Sequence, residues 1–368
     1  MALPARFWDN QRMRRLGFGI GLGALFGVLA PACGEDSGGN GAQQPGLDGS
    51  VLDAPSGETS ADHHEPDVVV DAPAFDGPEK LSETGLFTDM AARTLAPDVM
   101  PFDVRYPVWH DGATSNRFVY IPPGKQIDTV AMDIWSFPLG TKAWKEFYKD
   151  GKLIETRLLW KREEGADGWL KVSYLWDEAA KDGAAVPLGV PNALGTNHDV
   201  PDSETCTQCH NGAGDVIIGV SAIQSSKETG GGFLSTLIAK GLLTQPPAKE
   251  FPMPGDGVVE DVLGYFHGNC AHCHNDTNWL AGIRELRYKV LVGVANPEDT
   301  PTYKTNINAK MNHITLETTI AVIPGDPSHS QLWVRMGLRD WNGMPNFDTK
   351  EVDTAALNQV GIWIKGLK

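Results

Sequence analysis

The sequence predicts an α+β, multidomain chain. An antiparallel β-sandwich-like domain comes first and a mostly α-helical region follows it, both behind a long N-terminal extension. Three observations carry that expectation. Between residues 81 and 196 short runs rich in β-branched and aromatic residues alternate with Gly and Pro turns, and six of the eleven tryptophans fall between Trp109 and Trp176. From residue 257 onward apolar residues recur at helical spacing, before and after a pair of cysteines. The first 80 residues show neither pattern. With 368 residues, 41% of them apolar, the chain is long enough for two or three cores.

Charge divides the extension. Residues 1–32 carry four Arg against one Asp, whereas residues 34–80 carry eleven acids against one Lys. Arg6, Arg12, Arg14 and Arg15 precede fifteen uncharged residues, Leu16 to Ala30, too short for a stable bilayer span and suited to the apolar core of a signal peptide. Leu29-Ala30-Pro31-Ala32-Cys33 resembles the lipobox of bacterial lipoproteins. That resemblance implies a signal peptide over 1–32, lipidation of Cys33, and an exported, lipid-anchored protein facing the periplasm or the cell surface. Ordinary cleavage within Ala30–Ala32 is the alternative and leaves Cys33 a free thiol. Residues 33–80, with eight Gly, five Pro and one aromatic, read as an acidic disordered tether, and His63 and His64 within it as solvated side chains. The net charge of −16 argues against nucleic acid as a partner.

The other four cysteines carry the chemistry. They form Cys206-Thr-Gln-Cys209-His210 and Cys270-Ala-His-Cys273-His274, each a complete C-x-x-C-H. Two thiols at this spacing reach the two vinyl groups of one porphyrin, and the adjacent His supplies the proximal iron ligand, so the motif points to covalent c-type haem. A four-Cys zinc site explains the thiols and leaves both His to chance. With ten His in the chain, a His follows a given Cys about 3% of the time. Thioredoxin-like pairs lack their strand context here, and a disulfide inside either pair is strained. Two haem c groups are therefore the expected cofactors, bound by Cys206, Cys209, Cys270 and Cys273 and ligated by His210 and His274.

Around the second motif, residues 257–368, Val259, Val262, Leu263 and Phe266 predict a helix leading into Cys270. Ala356, Leu357, Val360, Trp363, Ile364 and Leu367 predict a terminal helix capped by Asp353. This arrangement resembles the class I cytochrome c fold, and the resemblance implies Met344, followed by Pro345, as the sixth iron ligand, with Met311 and Met336 as rivals. The first module, 197–256, is minimal, and three options stand for its sixth ligand: Met253, His198, or an open position. His267, His272, His313 and His329 read as packing or surface histidines.

In the β-rich domain, 81–196, Arg117–Ile121, Val130–Trp135, Thr156–Trp160 and Trp169–Trp176 are the expected strands, the last two as a hairpin. The loop Tyr106 to Ala113 is compact, aromatic and polar, suited to touching a haem edge. Together with Trp135–Thr141, Glu155–Arg157, Asn197–Pro201 and Pro327–Leu367, this loop resembles a family of di-haem c-type cytochromes of bacterial cell envelopes. The resemblance covers nearly all of 81–368, implies the class and names no substrate.

The leading functional expectation is electron transfer to an envelope redox protein, docked through the acidic surface. A peroxidase-like haem enzyme, using an open position on the first haem, is the alternative. In a third reading the β domain binds a partner or polysaccharide and the haems wire it to a respiratory chain.

Overall fold

A computed structural model describes residues 75–212, 216–227, 229–278, 285–311 and 317–368, all within one compact unit that spans 70–368. The expected signal peptide, Cys33, His63, His64 and His313 lie outside the described residues.

Eight strands form: β1 (Phe87–Asp89), β2 (Thr94–Leu95), β3 (Val99–Pro101), β4 (Thr114–Tyr120), β5 (Lys142–Lys149), β6 (Lys152–Lys161), β7 (Trp169–Trp176) and β8 (Gly183–Ala185). β1 and β2 make a small ribbon, and the other six make one antiparallel sheet in the order β3-β4-β5-β6-β7-β8. The helices are α1 (Ser203–His210), α2 (Phe233–Ala239), α3 (Gly257–Asn269), α4 (Pro301–Asn306), α5 (Gln331–Met336) and α6 (Thr354–Gly366).

Two corrections to the expected fold follow. The β region is one six-stranded sheet with a short two-stranded ribbon, and not a sandwich. One face packs Phe118, Trp144, Leu158, Val172, Tyr174 and Trp176 against Leu81, Leu86 and Phe87. The other packs Val119 and Ala143 against Val216, Ile217, Phe233, Leu234 and Leu237, from the chain that follows the first cysteine motif. Burial on both faces makes the strands apolar on alternate and intervening positions alike, and such a pattern does not reveal what covers the second face. The C-terminal region is also not a mostly α-helical cytochrome c region. Its longest helices, α3 and α6, have 13 residues each, and irregular chain joins the rest.

Individual elements fare differently. β6 and β7 pair as the expected hairpin, Glu155 opposite Leu175 through Lys161 opposite Trp169. Val130–Trp135 is a loop: the Asp128 carboxylate accepts the Val130 N–H at 3.0 Å, and Asp128 and Ser136 close the loop by exchanging backbone hydrogen bonds. Such local side-chain bonding competes with a ladder. β5, with Lys142, Lys145, Glu146 and Lys149 among its eight residues, escapes a search for β-branched runs. The two helices expected around the second motif form. Asp353 caps α6 by accepting the Ala356 N–H at 3.0 Å, and Val262 and Phe266 of α3 pack on Val360, Trp363 and Ile364 of α6. Among the described residues no helix is long and apolar enough to cross a membrane.

Candidate functional site

The first C-x-x-C-H is the last part of α1, whose N-terminus is closed by the Asp202 carboxylate accepting the Thr205 N–H at 2.6 Å. The second follows α3 directly and continues it as tight turns, with the Cys270 N–H on the Phe266 carbonyl and the His274 N–H on the Cys270 carbonyl, each at 2.9 Å.

The two motifs touch. The Gly212 carbonyl, two residues past His210, accepts from Asn275 Nδ2 at 2.7 Å, and Asn275 Nδ2 also donates to the Ala271 carbonyl at 2.7 Å. A Cβ on Gly212 would lie 1.9 Å from Asn278 Nδ2 and 2.3 Å from the His272 carbonyl oxygen, so this approach requires glycine. All four thiols, both motif histidines and His272 line a single cavity of about 1910 Å³, its open mouth included.

Three layers wall that cavity. On the second-motif side lie Tyr265, Tyr288, Leu332, Met336, Met344 and Pro345. The Tyr288 ring stands edge-on to His274, centroids 5.2 Å apart at 86°, and meets Phe266 at a tilt of 56°, with Phe266 in turn edge-on to Trp363 at 79°. Sheet residues form the wall on the first-motif side: Ala143, Lys145 and Phe147 of β5, and Arg157 and Leu159 of β6. The loop of Tyr106 to His110 bridges the two. Its Trp109 N–H donates to Asn269 Oδ1 at 2.7 Å, and Tyr106 lies over α3 where Gly264 has no side chain, a Cβ there falling 2.0 Å from the ring. The loop expected beside a haem edge does line the cavity that both motifs share.

Protonation argues against thiol redox chemistry. Burial pushes Cys206 up to about 11 and Cys209 and Cys270 to about 12. Redox-active C-x-x-C pairs depend on a lowered thiol pKa, so these thiols are poor nucleophiles. None of them is in a disulfide. Burial also lowers His210 to about 4, keeping the imidazole neutral. Its Nδ1 donates to the Val216 carbonyl at 2.7 Å, which fixes the tautomer and leaves the Nε2 lone pair for a metal. Among the described residues no three His, Cys, Asp or Glu side chains gather as the cage that a bare zinc ion would need. A haem needs no such cage, because its porphyrin supplies four of the iron ligands.

Of the methionines considered, Met344 and Met336 line the cavity, and Met311 and Met253 do not. Met344 is pinned by its N–H donating to the Arg335 carbonyl at 2.9 Å. Met253 is buried among Ile223, Leu263 and Val290, and His198 is buried with its Nε2 2.7 Å from Glu155 Oε1. Neither therefore faces the compartment that holds His210.

What the sequence reading missed is a buried charged network beside the first motif. Arg157 donates to Glu155 Oε1 at 2.7 Å and to Asp348 Oδ2 at 2.7 Å, and Lys145 Nζ donates to His110 Nε2. Burial would raise Asp348, but the Arg157 guanidinium and His110 hold it well below the usual carboxylate range. His110 is driven well below its ordinary value by burial and by the Lys145 charge. The only early signal was Glu155-Thr-Arg157, where alternation puts both charged residues on one face of a strand.

Comparison with known proteins finds no matching family model, no matching curated protein and no matching solved structure.

Proposed function

We propose that the chain is a di-haem c-type cytochrome, an exported and lipid-anchored protein that passes electrons to a redox partner in the bacterial cell envelope. One observation carries this reading: two complete C-x-x-C-H motifs, in contact through Gly212 and Asn275, open into the same largely apolar cavity. A haem bound at each motif supplies a one-electron couple whose potential depends on its ligands and surroundings.

The chain's own residues do the rest. Cys206 and Cys209 hold one macrocycle, and Cys270 and Cys273 the other. His210 and His274 would ligate the two irons, and Met344 would supply a thioether at the second site, which would raise its potential. Tyr288, Phe266 and Trp363 exclude water from the His274 side. The reading needs no class I cytochrome c fold. It agrees with the family resemblance in the sequence and with the lipobox at Cys33. Absorption spectra of the matured protein, oxidised and reduced, with a pyridine haemochrome assay, test it. Two covalent haems per chain with no response to CO support electron transfer, and the absence of covalent haem overturns it.

A second reading, a peroxidase-like enzyme, has one observation in its favour: His110, held neutral, lies with Lys145 and Arg157 on the cavity wall. It requires CO binding at one iron.

A further inference from the structure

The sheet wall of the cavity carries an unusual row. Arg117 on β4 is directly opposite Lys145 on β5, and Lys145 is directly opposite Arg157 on β6, so three cations cross three adjacent strands on one face. At about 4.8 Å per strand the row spans roughly 10 Å. Like charges directly opposite one another destabilise a sheet, and desolvating them adds to the cost. Arg157 is neutralised by Glu155 and Asp348. The others are not. Among the described residues Lys145 has no carboxylate within 4.0 Å and one hydrogen-bond partner, His110, while the Arg117 side chain makes no hydrogen bond or ion pair. Burial and the charges of Arg117 and Arg157 lower the Lys145 pKa well below its ordinary value. Among the described residues these three are the only Lys or Arg lining the cavity, and Asp348 is the only carboxylate.

We propose that Arg117 and Lys145, beside Arg157, form a carboxylate-binding site on the sheet wall, occupied by the two carboxylates of the haem tethered at Cys206 and Cys209. This rests on the haem reading above. A haem tethered through its vinyl edge carries both propionates on the opposite edge, and buried carboxylates need cationic partners. Arg157 is the end of the row that acts electrostatically on Cys206, Cys209 and His210, and Lys145 and Arg117 extend the row away from those thiols. The groups facing Lys145 are Arg117 from β4, Arg157 and Glu155 from β6, His110 from the bridging loop and Asp348 from the C-terminal loop.

The test is spectroelectrochemical titration of the holoprotein between about pH 5 and 8, wild type against Lys145→Met and Arg117→Gln, with and without added acetate or nitrite. In the wild type one haem's potential is expected to stay flat with pH, its carboxylates held ionised by the cations. In either variant that potential falls and becomes pH-dependent, while the other haem is unmoved and Lys145→Arg behaves as wild type. Identical pH profiles in wild type and both variants overturn the proposal. A saturable response to added anion, lost in Lys145→Met, assigns the site to a free anion and overturns the propionate assignment. Two variants guard against one failing to fold. A haemochrome assay showing no covalent haem defeats the haem reading itself, and that result is distinct from all of these.

Discussion

The two motifs have the same five-residue grammar and opposite surroundings. The second sits in an aromatic and thioether-rich cradle, with Tyr288, Phe266, Trp363, Met336 and Met344 around His274. The first sits against a sheet wall bearing Arg157, Lys145, His110 and Asp348. On the proposed di-haem reading, the same covalent attachment in such unequal walls would give an asymmetric pair, because the potential of a bound haem is set by its sixth ligand, nearby charge and solvent access. The difference teaches that two copies of one short motif can be set in environments of opposite character, which the motif itself does not encode.

The strongest way to break the comparison is to delete one side. Replacing Cys206 and Cys209 by Ala should lower the covalent haem content from two per chain to one and leave the spectrum of the second site, and Cys270 and Cys273 replaced by Ala should do the converse. A haemochrome assay reads both, and an unchanged haem content removes the basis of the pairing. Next is Met344→Ala, expected to lower the potential of the second haem alone and abolish any sulfur-to-iron absorption in the far red. Potentiometry that finds both haems unmoved would return the ligand to Met336.

Gly212→Ala attacks the contact between the two sites. Its Cβ would fall 1.9 Å from Asn278 Nδ2, and overpacking of this kind costs about 1–3 kcal/mol. Chemical denaturation of the holoprotein should show that loss, and a wild-type midpoint would mean the motifs are not in tight contact. Smaller still is the cap of the first-motif helix: Asp202→Ala should cost about 1 kcal/mol, measured the same way, with little effect on the second haem.

Acid sharpens the comparison from outside both sites. Burial holds His267 at about 3 against an ordinary 6.5, and its Nδ1 accepts the Val290 N–H at 3.1 Å. A histidine whose folded pKa is depressed stabilises the fold above its unfolded pKa, and that stability drains away as pH falls from about 6.5 toward 3. Stability measured across that window should decline in the wild type and decline less steeply in His267→Gln. Parallel curves would assign the acid sensitivity to other groups.

Local chemistry was legible in the sequence. The α6 stripe and its Asp353 cap, the α3 stripe, the β6–β7 hairpin and both C-x-x-C-H motifs depend on residues within one or two turns of one another. What was not legible depends on pairing at long range. β5 was hidden because Lys145 and Glu146 interrupt its apolar residues, and that Lys145 stands between Arg117 and Arg157 is visible only once the strands are paired. Nothing local in Met253-Pro254 distinguishes it from Met344-Pro345. Only the packing of Ile223, Leu263 and Val290 around Met253 takes it out of the cavity lining. The second face of the sheet was misread for the same reason, since an apolar strand face does not say whether strands or a motif-bearing segment will cover it.

The shared cavity is also closed by contacts between distant parts of the sequence. One wall comes from the C-terminal loop, where the Glu351 N–H donates to Asp111 Oδ1 across 240 residues of sequence and Asp348 meets Arg157 across 191. Such contacts close long loops, and each carries a loop-closure entropy that the rest of the fold must offset. Both lie outside the strand ladders, so the compartment can lose this wall while the sheet stays paired.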